Sequence, residues 1–137
     1  MRAQVAFEYM LIVIMALAFL IPLWTYVTKV EAEASDALTL AYAKSSVERL
    51  ASTADLIYSQ GAPAKVKVSI YIPDAVAGYN ITNYTISIRV LYMGTVSDVF
   101  AVSRARLNGT LPTTRGSYWM EVQAVEGEDY DVYIRQV

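Results

Sequence analysis

Glu8 is the ionisable residue whose position most demands a chemical explanation. It stands directly before a run, Tyr9 to Thr28, that carries no charge and is mostly Leu, Ile, Val, Met, Ala and Phe. A bare carboxylate against hydrocarbon costs on the order of 3 kcal/mol, so it either reaches the water interface or takes a cationic partner. A second set is formed by the three asparagines, Asn80, Asn83 and Asn108. Each opens an N-x-T triplet: Asn80-Ile81-Thr82, Asn83-Tyr84-Thr85 and Asn108-Gly109-Thr110. Chance placement of Ser and Thr rarely marks every asparagine of a chain, and the triplet is the acceptor pattern for N-linked glycans, which would put these segments outside the cell. A heat-adapted composition that sheds labile amides and keeps a few for turns is the alternative reading; the two are compatible, and the triplets favour glycosylation. Glu126, Glu128, Asp129 and Asp131 form an acidic concentration without EF-hand spacing, which reads as a solvated turn rather than a weak calcium site.

Composition narrows the chemistry further. The 137 residues include no histidine and no cysteine, which removes disulfides, thiolate nucleophiles, imidazole-bound zinc and the commonest general base. No triad, phosphate loop or metal-ligand spacing is present, so the expectation is a non-enzyme without a cofactor. A net charge of −2 gives no polybasic footprint for nucleic acid.

The elements that position these residues follow from periodicity. At about 1.5 Å per residue, the uncharged run is long enough to cross roughly 30 Å of hydrocarbon as one helix. Pro22 falls inside it and removes one backbone hydrogen bond, which predicts a kink or local loosening. Lys29, Glu31, Glu33 and Asp36 mark the exit into water. Leu40, Ala43, Val47, Leu50, Ala54 and Ile57 then recur at spacings of three and four, a one-sided helical stripe, with Lys44, Glu48, Arg49 and Asp55 off it. Gly61 and Pro63 supply the stop. An unbroken helix over this stretch would be roughly 80 Å long.

Beyond Ala64 the period becomes two. Val66, Val68, Ile70 and Ile72 alternate with Lys65, Lys67, Ser69 and Tyr71, and Ile86, Ile88 and Val90 alternate with Thr85, Ser87 and Arg89. Further strands are expected near 96–102, 118–125 and 130–134, with turns at Pro73-Asp74, Met93-Gly94, Asn108-Gly109 and 126–129. An antiparallel sheet of four to six strands should lay its apolar face on the helical stripe, an α+β arrangement. Eleven tyrosines are scattered through the chain. Tyr71, Tyr84, Tyr118 and Tyr133 would make either a part-wet adhesive surface or cross-strand partners on a solvated sheet.

Arg2-Ala3-Gln4 ahead of an apolar segment, with Glu8 and Tyr9 following, resembles the class III signal peptide of archaeal type IV pilin-like proteins. The resemblance covers about the first thirty residues, and beyond them only the general layout. The leader Met1-Arg2-Ala3 is short for the family, Ala3 stands where Gly is commoner, and Ala6 where Ser is frequent. It implies a prepilin peptidase cut between Ala3 and Gln4, so that residues 1–3 are removed, 4–61 form the long helix (9–28 in the membrane before assembly, filament core after), and 62–137 form the β domain. It further implies that Glu8, now near the new end, meets the amino group of Gln4 on a neighbouring copy, and that an assembly ATPase and membrane platform extract the chain into an extracellular pilus, a homopolymer serving adhesion. Bacterial type IV pilins, which the segment also resembles, carry a proline at a depth similar to that of Pro22.

Other readings of the same residues stay open. A plain single-pass anchor carrying an extracellular binding module fits the apolar run. A removed secretory signal fits less well, since its core is about 7 to 15 residues long, although Ala32-Glu33-Ala34 has the letters of a cleavage site. Within the resembling family, an archaellum or minor pilin subunit would share the same N-terminal signal.

Overall fold

The computed structural model describes residues 1–127 and 129–137; Glu128 of the acidic turn lies outside the described residues. The chain divides into two compact units, Met1–Ser35 and Asp36–Val137. One helix, α1 (Arg2–Gln60), contributes to both, so the unit boundary falls within the helix rather than at its end. Seven strands follow: β1 (Lys65–Ile72), β2 (Val76–Thr82), β3 (Thr85–Tyr92), β4 (Thr95–Val102), β5 (Leu107–Gly109), β6 (Gly116–Ala124) and β7 (Val132–Gln136). The fold is α+β.

In the first unit the helix is continuous through Pro22. The Thr25 hydroxyl donates to the Pro22 carbonyl at 2.9 Å and the Thr28 hydroxyl to the Thr25 carbonyl at 3.1 Å. Polar side chains in the apolar stretch thus satisfy themselves on the helix backbone. The large apolar side chains from Val5 to Val30 are exposed on every side of the helix. It is long and apolar enough to cross a membrane.

In the second unit the helical stripe is where the spacing puts it. Ser46 and Ala51 are buried on the helix, and Ala43, Val47, Leu50, Ala54 and Ile57 are fully so. These last five share one core with Ile70 and Ile72 of β1, Ile86, Ile88 and Val90 of β3, and Met120, Val122, Val132 and Ile134. Leu40 packs at its margin. Ser46, polar yet buried, donates to the Tyr71 carbonyl at 2.6 Å, which removes the penalty of an unpaired hydroxyl. Gly61 ends the helix with φ +76°, and its N–H returns to the Ile57 carbonyl at 3.1 Å.

The β residues form two sheets where a single antiparallel sheet was expected. The first has the order β1-β6-β7-β5, antiparallel except that β5 runs parallel to β7; the second is the antiparallel meander β2-β3-β4. Two strands escape the sequence pattern. β2 contains Gly78 and a register shift between Val76 and Gly78, and the two residues it packs against the core, Val76 and Ile81, are five positions apart, so no period-two alternation marks it. β5 is Leu107-Asn108-Gly109, whose Asn-Gly pair reads as a turn; here it is extended beside β7.

Candidate functional site

Ala3, Gln4, Glu8 and Tyr9 all lie on the exposed start of α1. The helix begins at Arg2, so the expected cut between Ala3 and Gln4 falls inside its first turn. That turn holds no acidic residue to complement the helix dipole, and the Val5 N–H closes it on the Met1 carbonyl at 3.2 Å.

Glu8 forms none of the ion pairs found among the described residues. Helix geometry explains why. Its neighbours one turn away are Gln4, Val5, Leu11 and Ile12, none of them basic, while Arg2 is about 240° round the axis. Tyr9 is 68% exposed beside it.

The three sequons belong to the second unit, and all three asparagines are exposed. Asn80 stands on β2. Asn83 is the first residue of the two-residue turn joining β2 to β3 and has φ +31°, a conformation asparagine tolerates better than most side chains. Asn108 lies on β5, its side-chain oxygen accepting the Gly109 N–H at 2.8 Å. The backbone brings two of the sites together, since the Leu107 N–H donates to the Asn83 carbonyl, and the Ser103 N–H donates to Tyr84 at 2.8 Å.

Register defines the face on which Asn80 stands. Asn80 pairs with Ser87 and Ser87 with Phe100; in the next row Thr82 pairs with Thr85 and Thr85 with Val102. Paired residues share a face, and the intervening Ile86, Ile88 and Val90 are buried, so these rows point away from the core. On this face Phe100 and Val102 are each 63% exposed, with Val96 and Leu91 also open. Arg89 and Asp98, paired at 3.0 Å, lie in the same sheet position between them. Sequence periodicity missed this strip because β4 is apolar on both faces, which hides the direction in which Phe100 points.

Other candidates are accounted for by structure. Asp131 is held by Arg106: Nε and Nη2 donate to its two oxygens at 3.2 and 2.8 Å, and the Arg106 N–H adds a third bond at 2.9 Å. These contacts lower the Asp131 pKa, so the acid is a clamp on the loop before β7. Among the described residues no group of acids could hold a metal ion. Glu121, 8% exposed, receives Arg135 Nε at 2.9 Å and has a lowered pKa for the same reason, with Lys65 and Lys67 contributing. The four tyrosines do not make one surface. Tyr118 packs against the core and shares a 2.6 Å hydrogen bond with Thr114, Tyr71 meets Tyr42 edge-on at 5.1 Å, Tyr133 lies against Tyr130 at 5.6 Å, and only Tyr84 is largely open. The depression beside Gly61 contains Glu126 and Asp131, of which Asp131 is already bound to Arg106.

Compared with known proteins, the chain matches no family model, no curated protein and no solved structure.

Proposed function

We propose that the chain is a structural subunit, the major one, of an extracellular archaeal type IV pilus-like filament that serves surface adhesion. The observation that carries this reading is Glu8: a carboxylate on a helix exposed and apolar all round, with no basic side chain within a turn of it. Hydrolysis of the Ala3–Gln4 peptide bond by a prepilin peptidase creates an ammonium group at Gln4. In a bundle of such helices that group meets Glu8 of the adjacent copy and neutralises it.

Before assembly the precursor sits in the cell membrane, with Arg2 on the inner side and the β domain outside, in keeping with the positive-inside rule. Moving the helix from lipid into a filament core exchanges one apolar surrounding for another, so water exclusion contributes little. Close packing and the Glu8–Gln4 pair then select the register, and an assembly ATPase acting through a membrane platform supplies the work. The exposed Asn80, Asn83 and Asn108 carry N-linked glycans on the outer surface.

Negative-stain microscopy of fibres sheared from producing cells, with mass spectrometry of their subunit, tests the proposal. Fibres built of this chain with Gln4 as the terminal residue are expected, and a bulky residue in place of Ala3 should leave the leader attached and the cells bare. Dispersed single molecules that retain residues 1–3 would instead favour a membrane-anchored binding module.

A further inference from the structure

We infer that the open face of β4 is a carbohydrate-stacking surface, on which the glycan attached to Asn80 rests against the Phe100 ring. This rests on the reading of Asn80 as a glycosylation site and adds where the sugar goes. Asn80, Ser87 and Phe100 stand in one row across three strands, on the face turned away from the core. Two strand spacings separate the first from the last, about 10 Å, which an asparagine side chain and its first sugars span.

The residue between them leaves the way open. Ser87 is short, and its hydroxyl donates to the Asn80 carbonyl at 3.3 Å, close to the sheet surface. A pyranose has one face of C–H groups, which complements the negative face of an aromatic ring. Because the sugar is tethered, its effective concentration at the ring is of millimolar order, enough to populate a contact too weak to form between free partners.

The same inference accounts for an otherwise costly feature. β4 is an edge strand of eight residues, and it presents Val96, Phe100 and Val102 to solvent with Asp98, paired to Arg89, among them. Apolar area left open on a sheet face is a feature that a covering group relieves.

Hydroxyl-radical footprinting of the full chain in detergent, purified from cells that glycosylate it, tests the inference with peptide-level mass spectrometry. Thr82→Ala removes the Asn80 sequon and keeps Asn80 itself; Asn80→Gln removes it by a second route. Both should raise oxidation of Phe100 several-fold and leave Trp119, on the other sheet, unchanged. Equal labelling of Phe100 in variant and wild type, with the glycan present on wild-type Asn80, would overturn the stacking while leaving glycosylation intact. A bare wild-type Asn80 would remove the glycosylation reading at this site and the inference with it. Protection that persists in both variants and fades on dilution would assign the strip to a second copy of the chain and overturn the inference.

Discussion

Asp55 accepts the Ser103 hydroxyl at 2.6 Å, a bond that spans 48 positions of the chain and ties the amphipathic half of α1 to the segment after β4. The same carboxylate oxygen takes the Arg104 N–H at 2.7 Å, while Ser103 Oγ accepts the Ala105 N–H at 3.1 Å. Ser103 is 4% exposed, so its hydroxyl has no ready replacement partner in water. Asp55→Ala should therefore lower stability by about 1–2 kcal/mol, the cost of leaving a largely buried hydroxyl and an amide unpaired. Thermal unfolding followed by near-ultraviolet circular dichroism reads this loss, because that signal reports the packed domain rather than helix content. A Ser103→Ala variant should lose a similar amount, and the double variant less than the sum of the two, since both remove the shared bond while each also frees a different amide, Arg104 or Ala105.

Gly109 has φ +148°, and a Cβ built on it would lie 2.0 Å from the Ile134 carbonyl oxygen. That oxygen also accepts the Thr110 N–H at 3.0 Å, so it cannot retreat without giving up a strand contact. Gly109→Ala should cost about 2 kcal/mol or more, through backbone strain and detachment of β5 from β7. The Asn108 sequon is unaltered in that variant. Loss of amide-exchange protection at Thr110, with the glycan at Asn108 retained, would be the expected combination.

Acid should weaken the domain through two carboxylates. Asp131 and Glu121 have folded pKa values lowered by Arg106 and Arg135 from the ordinary 3.8 and 4.5. A lowered folded pKa means that the unfolded chain binds protons first as pH falls. Their stabilisation is complete above the unfolded pKa values and declines below about pH 5, towards the lower folded values. The midpoint of thermal unfolding should thus be flat from these groups near neutrality and fall through the acid range. Asp131→Asn with Glu121→Gln should flatten the acid limb while lowering stability at neutral pH.

How much of this was readable in the sequence depends on what periodicity encodes. Leu50 and its neighbours at three- and four-residue steps face the core as expected, and the period-two runs of β1 and β3 bury Ile70, Ile72, Ile86, Ile88 and Val90. Such patterns report which face is buried but not which strand pairs with which, so two sheets and the parallel β5–β7 pairing were invisible. β2 was lost because the irregularity at Gly78 puts its core-facing residues, Val76 and Ile81, out of period-two phase. Asp55 was legible only as a polar residue off the helical stripe; its partner is distant in sequence and carries no local mark. Glu8 was the opposite case: once the segment is a helix, the absence of a cation within a turn of it follows from the sequence alone.

That feature gives the last prediction. In the intact chain Glu8 has only Gln4, Val5, Leu11 and Ile12 a turn away, so replacing it removes a charge without breaking any ion pair found among the described residues. Glu8→Ala should therefore leave membrane insertion intact, since a charge near the helix end costs less than the roughly 3 kcal/mol of one at the bilayer centre, and removing it favours the lipid. Cleavage before Gln4 should also persist, because Ala3 and Gln4 are unchanged. What should fall is filament yield, because the remaining apolar helices can slide past one another with little change in contact energy and no pair fixes their stagger. Glu8→Gln separates charge from shape: it keeps the side-chain volume and a hydrogen-bonding oxygen but cannot pair ionically with the Gln4 ammonium. It should resemble Glu8→Ala in yield if charge selects the register, and wild type if the site needs only a polar group. Counts of fibres per cell alongside the amount of cleaved subunit in the membrane distinguish these outcomes, and normal piliation in both variants would remove Glu8 from the assembly mechanism.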